Sequence, residues 1–295
     1  MPEALKLPSG AKLEFSASCL VMAIINCTDD SFYAPSRSFG ERAVENALRA
    51  ESEGAAIIDF GAESTRPGAS YIDENEELKR LIPVVQAFRK LSRLPISIDT
   101  RKASVAEAAL DSGADIINDI SALCDDPRMV SVCAARNAAV ILMHMKGTPR
   151  TMQQAPEYDN VLAEVGSFLE TAATRAREAG IAPNAIIIDP GIGFGKRLED
   201  NLTIIRRIDY FKQLPFLAEI LGRDYPVLVA LSRKSFIGTV LASGSKSSDP
   251  TADRLYGTLA ANVAAVLGGA DIIRVHDVQA HVDALKVLSA IRKEH

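Results

Sequence analysis

Residues 185–196, AIIIDPGIGFGK, place a carboxylate where an apolar run ends. Three isoleucines lead into Asp189, and Pro190 with the glycines that follow stops the run. A β-branched run of this kind is typical of a strand buried on both faces. Because an unpaired carboxylate is costly to bury, we expect Asp189 to lie at the mouth of a site.

The glycines of this stretch do not match a nucleotide-binding loop. A Walker loop would need glycine where Pro190 stands and serine or threonine where Arg197 stands. A dinucleotide fingerprint would need a third glycine at Lys196. We therefore interpret the glycines as positions where a flat ligand approaches the backbone.

Asp99 and Asn118 end two other apolar runs. Carboxylates only accept hydrogen bonds, whereas an amide both donates and accepts, so with Asp189 these residues suit the edge of a flat heterocycle with amino and lactam groups. Two carboxylates would also suit a glycosidase. The chain has no tryptophan, and it therefore lacks the aromatic platforms that sugars favour.

Arg274 and His276 flank Val275 in the last apolar run. Side chains two apart on a strand point the same way, so these two predict an anion site of the kind that TIM barrels hold near strands seven and eight. The alternative is an arginine paired with a surface acid such as Asp277. His144 is interpreted as a packed histidine rather than a base.

Ser232 and Lys234 alternate in the same way after the seventh run. A helix that begins after them would offer free backbone N–H groups to a carboxylate or phosphate. Lys234 could instead be the Schiff-base lysine of an aldolase, since burial lowers the pKa of an amine, or a solvated charge.

Two polar loops follow the first and second runs. Pro67 keeps Arg66 extended, and Pro67-Gly68 favours a type II turn, so this arginine would be held where it can close over an anion. Uncharged Asn26 could hold a metal-bound diphosphate, because Mg²⁺ takes few protein ligands and binds substrate oxygens. An Asx-type turn explains residues 28–31 nearly as well.

Eight short apolar runs recur along the chain, each followed by a polar residue and a helix-period segment. The runs lead to Asn26, Glu63, Asp99, Asp119, His144, Asp189, Ser232 and His276. The amphipathic segments span roughly residues 41–53, 74–92, 103–112, 127–136, 157–180, 197–213, 253–268 and 277–293. Eight such units predict an α/β fold, a (β/α)₈ TIM barrel whose strand exits converge on one mouth.

We predict a single domain over residues 1–295, with residues 1–18 as a short ribbon that turns at residues 8–10 and lies outside the repeat. An open doubly wound sheet is the structural alternative. It would need a glycine fingerprint after the first strand, where NCTDDSF stands.

The composition argues against several classes of protein. A net charge of -5 does not suit a general nucleic-acid binder, and no apolar run approaches the ~18 residues that span a bilayer. The first residues lack the features of a signal peptide, which predicts a cytoplasmic protein without membrane partners. We expect Cys19, Cys27, Cys124 and Cys133 to be reduced, buried thiols, because their spacing suits neither pairing nor a metal.

With these residues in view, the chain resembles the dihydropteroate synthase family, a pterin-binding TIM-barrel family. The matching segments, in the family's order from residue 20 to 278, are NCTDDSF, IIDFGAESTRPGA, ISIDTRK, ADIINDI, LMHMKGTPRTMQ, IIIDPGIGFGK, LVALSRKSFIG and ADIIRVHDV. The combination of ESTRPGA, DPGIGFGK and SRKSFIG is highly specific.

The resemblance implies an Mg²⁺-dependent homodimer that condenses 6-hydroxymethyl-7,8-dihydropterin diphosphate with 4-aminobenzoate, forming 7,8-dihydropteroate for folate and releasing pyrophosphate. The implied pterin site is Asp99, Asn118, Met145, Asp189, Phe194 and Lys234. The implied diphosphate site is Asn26, Arg66, Arg274 and His276, with Asn26 toward the metal. The implied aminobenzoate site is Thr65, Arg66, Pro67 and Ser232. The residues expected to act in catalysis are Asp99, Asp189, Lys234 and Arg274.

The predicted mechanism separates charges. Breaking the C–O bond first, in an SN1-like route, would leave a pterin cation and a pyrophosphate anion that the site must stabilise. Asp99 and Asp189 suit the cation, and the anion would be met by Arg66, Arg274, His276 and Mg²⁺. The loops after strands one and two would close and exclude water.

Three positions depart from the family pattern. Asp29 stands where proline is usual, and Ala62 and Ala230 stand where glycine is common. Ala62 and Ala230 would each add a methyl group near the pocket. Two other functions stay open: a methyltetrahydrofolate-dependent corrinoid methyltransferase domain, which has no use for a diphosphate clamp, and a paralogue that binds pterin without turnover.

Overall fold

Parallel strands form the closed sheet at the centre of the computed structural model, which describes residues 4–15, 19–27, 39–63, 71–214, 225–242 and 254–292. The strands are β1 Leu5–Lys6, β2 Lys12–Leu13, β3 Leu20–Asn26, β4 Ile57–Gly61, β5 Ile96–Asp99, β6 Ile116–Asp119, β7 Ala139–Met143, β8 Ile186–Asp189, β9 Leu228–Val229 and β10 Ile272–Val275. From β3 to β8 each described strand pairs with the next one in the chain, and β10 pairs with both β9 and β3. A bridge between Ile188 and Val227 joins β8 to the segment before β9, which confirms the predicted barrel.

Helices follow the strands at the predicted places. They are α1 Phe39–Ser52, α2 Glu74–Leu91, α3 Ala103–Asp111, α4 Met129–Ala135, α5 Val161–Glu178, α6 Leu198–Arg206, α7 Ile208–Lys212, α8 Ser235–Ala242, α9 Leu255–Leu267 and α10 Val278–Arg292. The segment predicted over 197–213 is divided at Arg207, whose φ of -127° and ψ of 40° are not helical. Within the described ranges, no helix is long and apolar enough to span a membrane.

The strands read as apolar runs because helices cover one face and the barrel interior covers the other. Every residue of β5, β6, β7 and β8 is buried. Of the cysteines predicted to be buried thiols, Cys27 and Cys133 are free and buried, whereas Cys19 is partly exposed and Cys124 is exposed. The prediction is therefore wrong for Cys124, which lies in a turn before α4 where no layer covers it.

The N-terminal ribbon lies at the amino-terminal end of the barrel. Its strands β1 and β2 are antiparallel, and it is fixed to the barrel through Asp115, which directly precedes β6. The Asp115 carboxylate accepts from the backbone N–H groups of Ser9 and Ile96, each at 3.1 Å, and pairs with Arg89 at 2.8 Å. Asp115 is fully buried, so the charge is stabilised by these donors rather than by water.

We expect Asp115→Ala to lower the free energy of unfolding by about 3 kcal/mol, because the guanidinium of Arg89 would lose its buried partner. Urea denaturation of both proteins measures the difference. The matched control is Asp111→Ala, whose exposed carboxylate pairs with Arg136 at the surface and should contribute far less than the buried carboxylate of Asp115. Equal losses of unfolding free energy in the two variants would show that the buried ion pair stabilises the fold no more than the surface pair does.

Candidate active site

A cavity of about 490 Å³ opens at the carboxyl ends of the strands. The predicted site residues that line it are Asn26, Asp99, Phe194, Ser232, Lys234, Arg274 and His276. They come from the ends of β3, β5 and β10 and from the segments after β8 and β9. The expected convergence of strand exits on one mouth is therefore confirmed for these residues.

Arg274 lies between two carboxylates. Its Nε is 2.6 Å from Asp59 Oδ2, and its Nη2 is 2.8 Å from Asp99 Oδ2. The alternative pairing with Asp277 is wrong, because Asp277 pairs with Arg233 at 2.6 Å. Arg274 and Asp99 are in direct contact, so an acid predicted to stabilise the cation and a base predicted to stabilise the anion meet at one point of the cavity.

Asp59 is the residue that sequence reasoning missed. It is fully buried in β4, and its Oδ2 is also 3.4 Å from the Asn118 Nδ2. An acid inside an otherwise apolar strand was the available signal, but alternation cannot tell which face of such a strand points into the barrel. Asp59 thereby connects the predicted pterin residue Asn118 to the predicted diphosphate residue Arg274.

Burial governs the protonation of Asp99. It raises the pKa of Asp99 to about 7, with Arg274 opposing the shift and Asp59 adding to it. For Arg274 the pKa is raised, because its two carboxylate partners outweigh the loss of hydration. The charge on Asp99 at neutral pH thus depends on the guanidinium beside it.

Asp189 lies at the end of β8 and is almost fully buried. Its Oδ1 accepts the backbone N–H of Gly191 at 2.7 Å. Burial raises the pKa of Asp189, and the nearby Lys234 and Arg274 oppose this shift. The carboxylate therefore stands just behind the cavity wall that carries these two cations, which confirms that Asp189 and Arg274 share one end of the barrel.

Two of the glycines after Asp189 lie where the backbone packs closely against another segment of the chain. Gly191 has a φ of +67°, and a Cβ there would lie 1.8 Å from the His144 carbonyl oxygen. Gly195, with a φ of +61°, would place a Cβ 2.4 Å from the Lys146 carbonyl oxygen. The interpretation that all these glycines admit a ligand is wrong for this pair, whereas Gly193 does line the cavity.

Lys234 immediately precedes α8 and is not a solvated charge. Its Nζ donates to the carbonyl oxygen of Ile192 and lies 4.5 Å from the centre of the Phe194 ring. Burial lowers the pKa of Lys234 to about 8, an effect that Asp189 opposes. The ammonium group is thus held against the loop that forms one wall of the cavity.

Ser232 and His276 form a hydrogen-bonded pair. Ser232 Oγ is 2.9 Å from His276 Nδ1 and accepts the backbone N–H of His276 at 3.2 Å. The two contacts join the hydroxyl to both the ring and the backbone of His276. Both side chains line the cavity, so Ser232 fixes the orientation of His276 there.

The remaining predicted residues lie around this core. Asn118 is buried in β6, and Met145 is half-buried after β7 and does not line the cavity, whereas Met152 does. Ala230 lines the cavity as expected, and Ala62 is buried without lining it. Thr65, Arg66, Pro67 and Asp29, and the two loops predicted to close, lie outside the described residues.

Glu63 lines the cavity, and the sequence did not indicate its role. Its carboxylate pairs with Arg101 at 2.9 Å and with Lys102 at 2.5 Å. Lys102 also pairs with the fully buried Glu77 of α2 at 2.5 Å. This network fixes the end of the segment that follows β4, directly before the predicted aminobenzoate residues.

No group of three or more His, Cys, Asp or Glu side chains that could hold a metal ion occurs in the part of the chain that the structure describes. Asn26 ends β3, is exposed and lines the cavity. Its side-chain carbonyl is one neutral oxygen ligand. That donor set suits Mg²⁺ bound chiefly through substrate oxygens and water, and it does not suit an all-protein metal cage.

Comparisons with known proteins agree with this geometry. A sequence model of the family described as pterin binding enzyme matches residues 22–276. The dihydropteroate synthase of Synechocystis sp. is 42% identical, covering 97% of this chain and 94% of that protein. The Xanthomonas albilineans dihydropteroate synthase, solved with 4-aminobenzoic acid, superposes with a TM-score of 0.85 at 40% identity over 100% of both chains. The Burkholderia cenocepacia enzyme, complexed with 7,8-dihydropteroate, gives 0.85 at 40% identity over 99% of this chain and 97% of that one.

The chain is a TIM barrel with acidic and basic side chains at one mouth, and it belongs to the pterin binding enzyme family. The relatives described above are dihydropteroate synthases.

Proposed function

We propose that this protein condenses 6-hydroxymethyl-7,8-dihydropterin diphosphate with 4-aminobenzoate, releasing pyrophosphate and forming 7,8-dihydropteroate in folate biosynthesis. The observation that carries the proposal is that Asp99, Lys234 and Arg274 line one cavity, with Asp189 buried beside Lys234 and Arg274 behind its wall. The relatives solved with 4-aminobenzoic acid and with 7,8-dihydropteroate support it.

The pterin ring is proposed to lie against the segment after β8. Asp189 and Asn118 present acceptors and an amide to the amino and lactam edge, and Phe194 offers a flat face. The cavity of about 490 Å³ falls in the usual range for small-molecule sites. Met145 is the weakest member of this proposed set, because Met152 stands in the wall instead.

The diphosphate is proposed to bind between Asn26, Arg274 and His276, with Arg66 from the loop after β4. Arg274 has five N–H donors, and the two carboxylates engage two of these donors, so further donors can bind phosphate oxygens. Asn26 would hold Mg²⁺ together with substrate oxygens. The metal would neutralise charge on the departing pyrophosphate.

The reaction is proposed to begin with cleavage of the C–O bond of the pterin methylene group, whose electron pair leaves with pyrophosphate. Asp99 and Asp189 stabilise the pterin cation, and Arg274 and His276 stabilise the anion. The 4-aminobenzoate nitrogen then forms the new C–N bond and loses a proton. Its carboxylate would lie near Ser235, the first residue of α8, beside Ser232, where Thr65 and Pro67 complete the pocket.

The proposal is tested by incubating the protein with pterin diphosphate, labelled 4-aminobenzoate and Mg²⁺. We expect labelled dihydropteroate in proportion to protein, and its loss when the metal is chelated and its recovery when Mg²⁺ is restored. The absence of labelled product at any protein concentration would refute the activity. Unchanged turnover under chelation would refute the metal dependence alone.

The pH dependence of the reaction is expected to follow Lys234. Its pKa is lowered to about 8, so the ammonium form is present below that pH and is lost above it. We therefore expect kcat/KM for the pterin diphosphate to fall above pH 8. Lys234→Arg, which stays charged, should keep its remaining activity to higher pH, and a variant with the same alkaline decline as the wild type would contradict this assignment.

We also propose that the protein is a cytoplasmic homodimer. Exposed apolar side chains on α8, α9 and α10, including Leu241, Tyr256 and Ile291, offer a surface for a second copy. Light scattering is expected to give about twice the 31.7 kDa chain mass. Tyr256→Glu should shift the mass toward one chain, whereas Leu91→Glu, at another exposed apolar position on α2, should not.

A further inference from the structure

Lys196 is a buried lysine that the proposed mechanism does not use. It closes the segment 190–196 behind the cavity wall and is 3% exposed. It does not line the cavity. Burial lowers the pKa of Lys196 to about 7, an effect that Asp189 opposes, so the ammonium form is present below that pH. Because a buried ammonium group must be compensated by acceptors, the groups around Lys196 indicate its role.

Four acceptors surround the ammonium group. Lys196 Nζ is 2.9 Å from His144 Nδ1, 2.9 Å from the Gly191 carbonyl oxygen, 3.1 Å from the Phe194 carbonyl oxygen and 3.4 Å from the His144 carbonyl oxygen. Burial, and then the charge of Lys196, lower the pKa of His144 to about 3, so its ring is neutral and Nδ1 accepts. An ammonium group has three N–H donors, and these contacts use all of them.

The segment after β8 is thus held between two lysines. On the cavity side Lys234 donates a hydrogen bond to the carbonyl oxygen of Ile192. On the buried side Lys196 donates to the carbonyl oxygens of Gly191 and Phe194. The Phe194 N–H also donates to the Gly191 carbonyl at 3.0 Å. Gly191 and Phe194, whose carbonyl groups Lys196 binds, therefore both belong to the segment that forms this wall of the proposed pterin site.

The connection to the site runs through both residues. The Gly191 N–H is the donor to Asp189 Oδ1, and the Phe194 ring lies under the ammonium of Lys234. A displacement of either carbonyl would move the Asp189 carboxylate or the Phe194 ring.

We propose that Lys196 is a positioning residue, an internal ammonium link that holds Asp189 and Phe194 in the arrangement that binds the pterin. This inference rests on the proposed function in taking the cavity as a pterin site. It assigns to Lys196 no contact with the substrate and no role in transferring a proton.

Other bonds keep the segment folded when the ammonium is removed. Gly193 donates its N–H to Asn201 Oδ1 at 2.7 Å, its carbonyl accepts from Gln153, and the Gly195 carbonyl accepts from Tyr158. In Lys196→Met the released groups are therefore the carbonyls nearest the site. We expect a local change in the pterin wall within a folded barrel.

The test is calorimetric titration with 6-hydroxymethyl-7,8-dihydropterin diphosphate. Lys196→Met should raise Kd about 10-fold or more, because buried acceptors lose their donor. KM for 4-aminobenzoate at saturating pterin should stay within about 2-fold of the wild type. The matched control is Lys146→Met, whose Nζ contacts the Glu157 carbonyl and Glu164 at the surface, and its Kd should equal that of the wild type.

A Lys196→Met protein that melts at lower temperature but binds the pterin diphosphate as tightly as the wild type would overturn the inference, since a purely structural lysine gives that result. Lys196→Gln, which keeps an NH₂ donor, is measured in parallel and decides the matter if the methionine variant does not fold. We expect an intermediate Kd for it, and a wild-type Kd would overturn the inference. A wild-type protein that does not bind the ligand would refute the proposed function instead.

Discussion

Asp189→Asn is expected to lower kcat/KM for the pterin diphosphate about 10³-fold. Asparagine keeps the size of the side chain and an oxygen for the Gly191 N–H, which is 2.7 Å away. It removes the charge that stabilises a pterin cation and replaces one acceptor by a donor at the heterocycle edge. The loss should therefore come from the chemistry of the site and not from its shape.

A second readout separates this explanation from general damage. Asp189 holds the pKa of Lys234 up against burial, so its removal should move the alkaline decline of activity to lower pH. The matched control is Asp200→Asn. The wild-type Asp200 carboxylate lies in the first turn of α6 and accepts the backbone N–H of Arg197 at 2.9 Å, and the activity of this variant should stay within about 3-fold of the wild type. Equal activity of Asp189→Asn and the wild type would remove Asp189 from the site.

Arg274→Met is expected to lower the free energy of unfolding by about 3–5 kcal/mol at neutral pH and to abolish turnover. The guanidinium is the shared partner of Asp59 and Asp99, at 2.6 and 2.8 Å, and both acids are buried. Without it their charges are left together in the barrel interior. The variant should therefore affect the acidic part of the site as well as the proposed diphosphate contact.

The loss of stability in Arg274→Met should depend on pH. Burial raises the pKa of Asp99, and Arg274 opposes that shift, so in the variant the carboxyl is protonated over a wider range. A carboxyl with a raised pKa destabilises the folded state when it is ionised and does not when it is protonated. The difference from the wild type should therefore be larger at pH 8 than at pH 5.

Urea denaturation at the two pH values measures this difference. Arg136→Met is the control, because that arginine pairs with Glu107 and Asp111 at the surface and should contribute about 1 kcal/mol or less at both pH values. Adding Asp59→Asn to Arg274→Met should restore part of the stability by removing one unpaired charge. A pH-independent loss would mean that packing, and not charge, is what Arg274 contributes.

The contact between Arg274 and Asp59 has a consequence for substrate binding. Arg274 is paired with two acids. Under the proposed function, we expect phosphate oxygens bound to the remaining donors of Arg274 to weaken its pairing with Asp99, which makes that carboxylate available to the pterin. Binding of the leaving group and ionic stabilisation of the pterin would then be coupled through a single side chain.

The sequence predicted the barrel well because its parallel strands are buried on both faces. Such strands appear as apolar runs, and the polar residue after each run marks its exit, as Asp189 does after the isoleucines of β8. The alternation of Arg274 with His276 likewise placed both side chains at the cavity. Local sequence patterns were therefore sufficient to predict features that depend on residues close together in the chain.

Pairings across the barrel could not be predicted in this way. Arg274 and Asp59 lie 215 positions apart, and their contact depends on the register of strands that the sequence does not specify. The same applies to Lys196, which resembles the end of a phosphate loop in the sequence but points away from the cavity toward His144. A sequence pattern identifies a charged residue, but the residue that pairs with it is determined by which strands and loops the closed barrel brings together.

The most direct test of the central claim is the release of pyrophosphate from 6-hydroxymethyl-7,8-dihydropterin diphosphate, measured with and without 4-aminobenzoate. We predict that release accelerates strongly when 4-aminobenzoate is present and that one dihydropteroate forms for each pyrophosphate. Release at the same rate without 4-aminobenzoate, or no release at all, would contradict the claim that this cavity joins the two substrates.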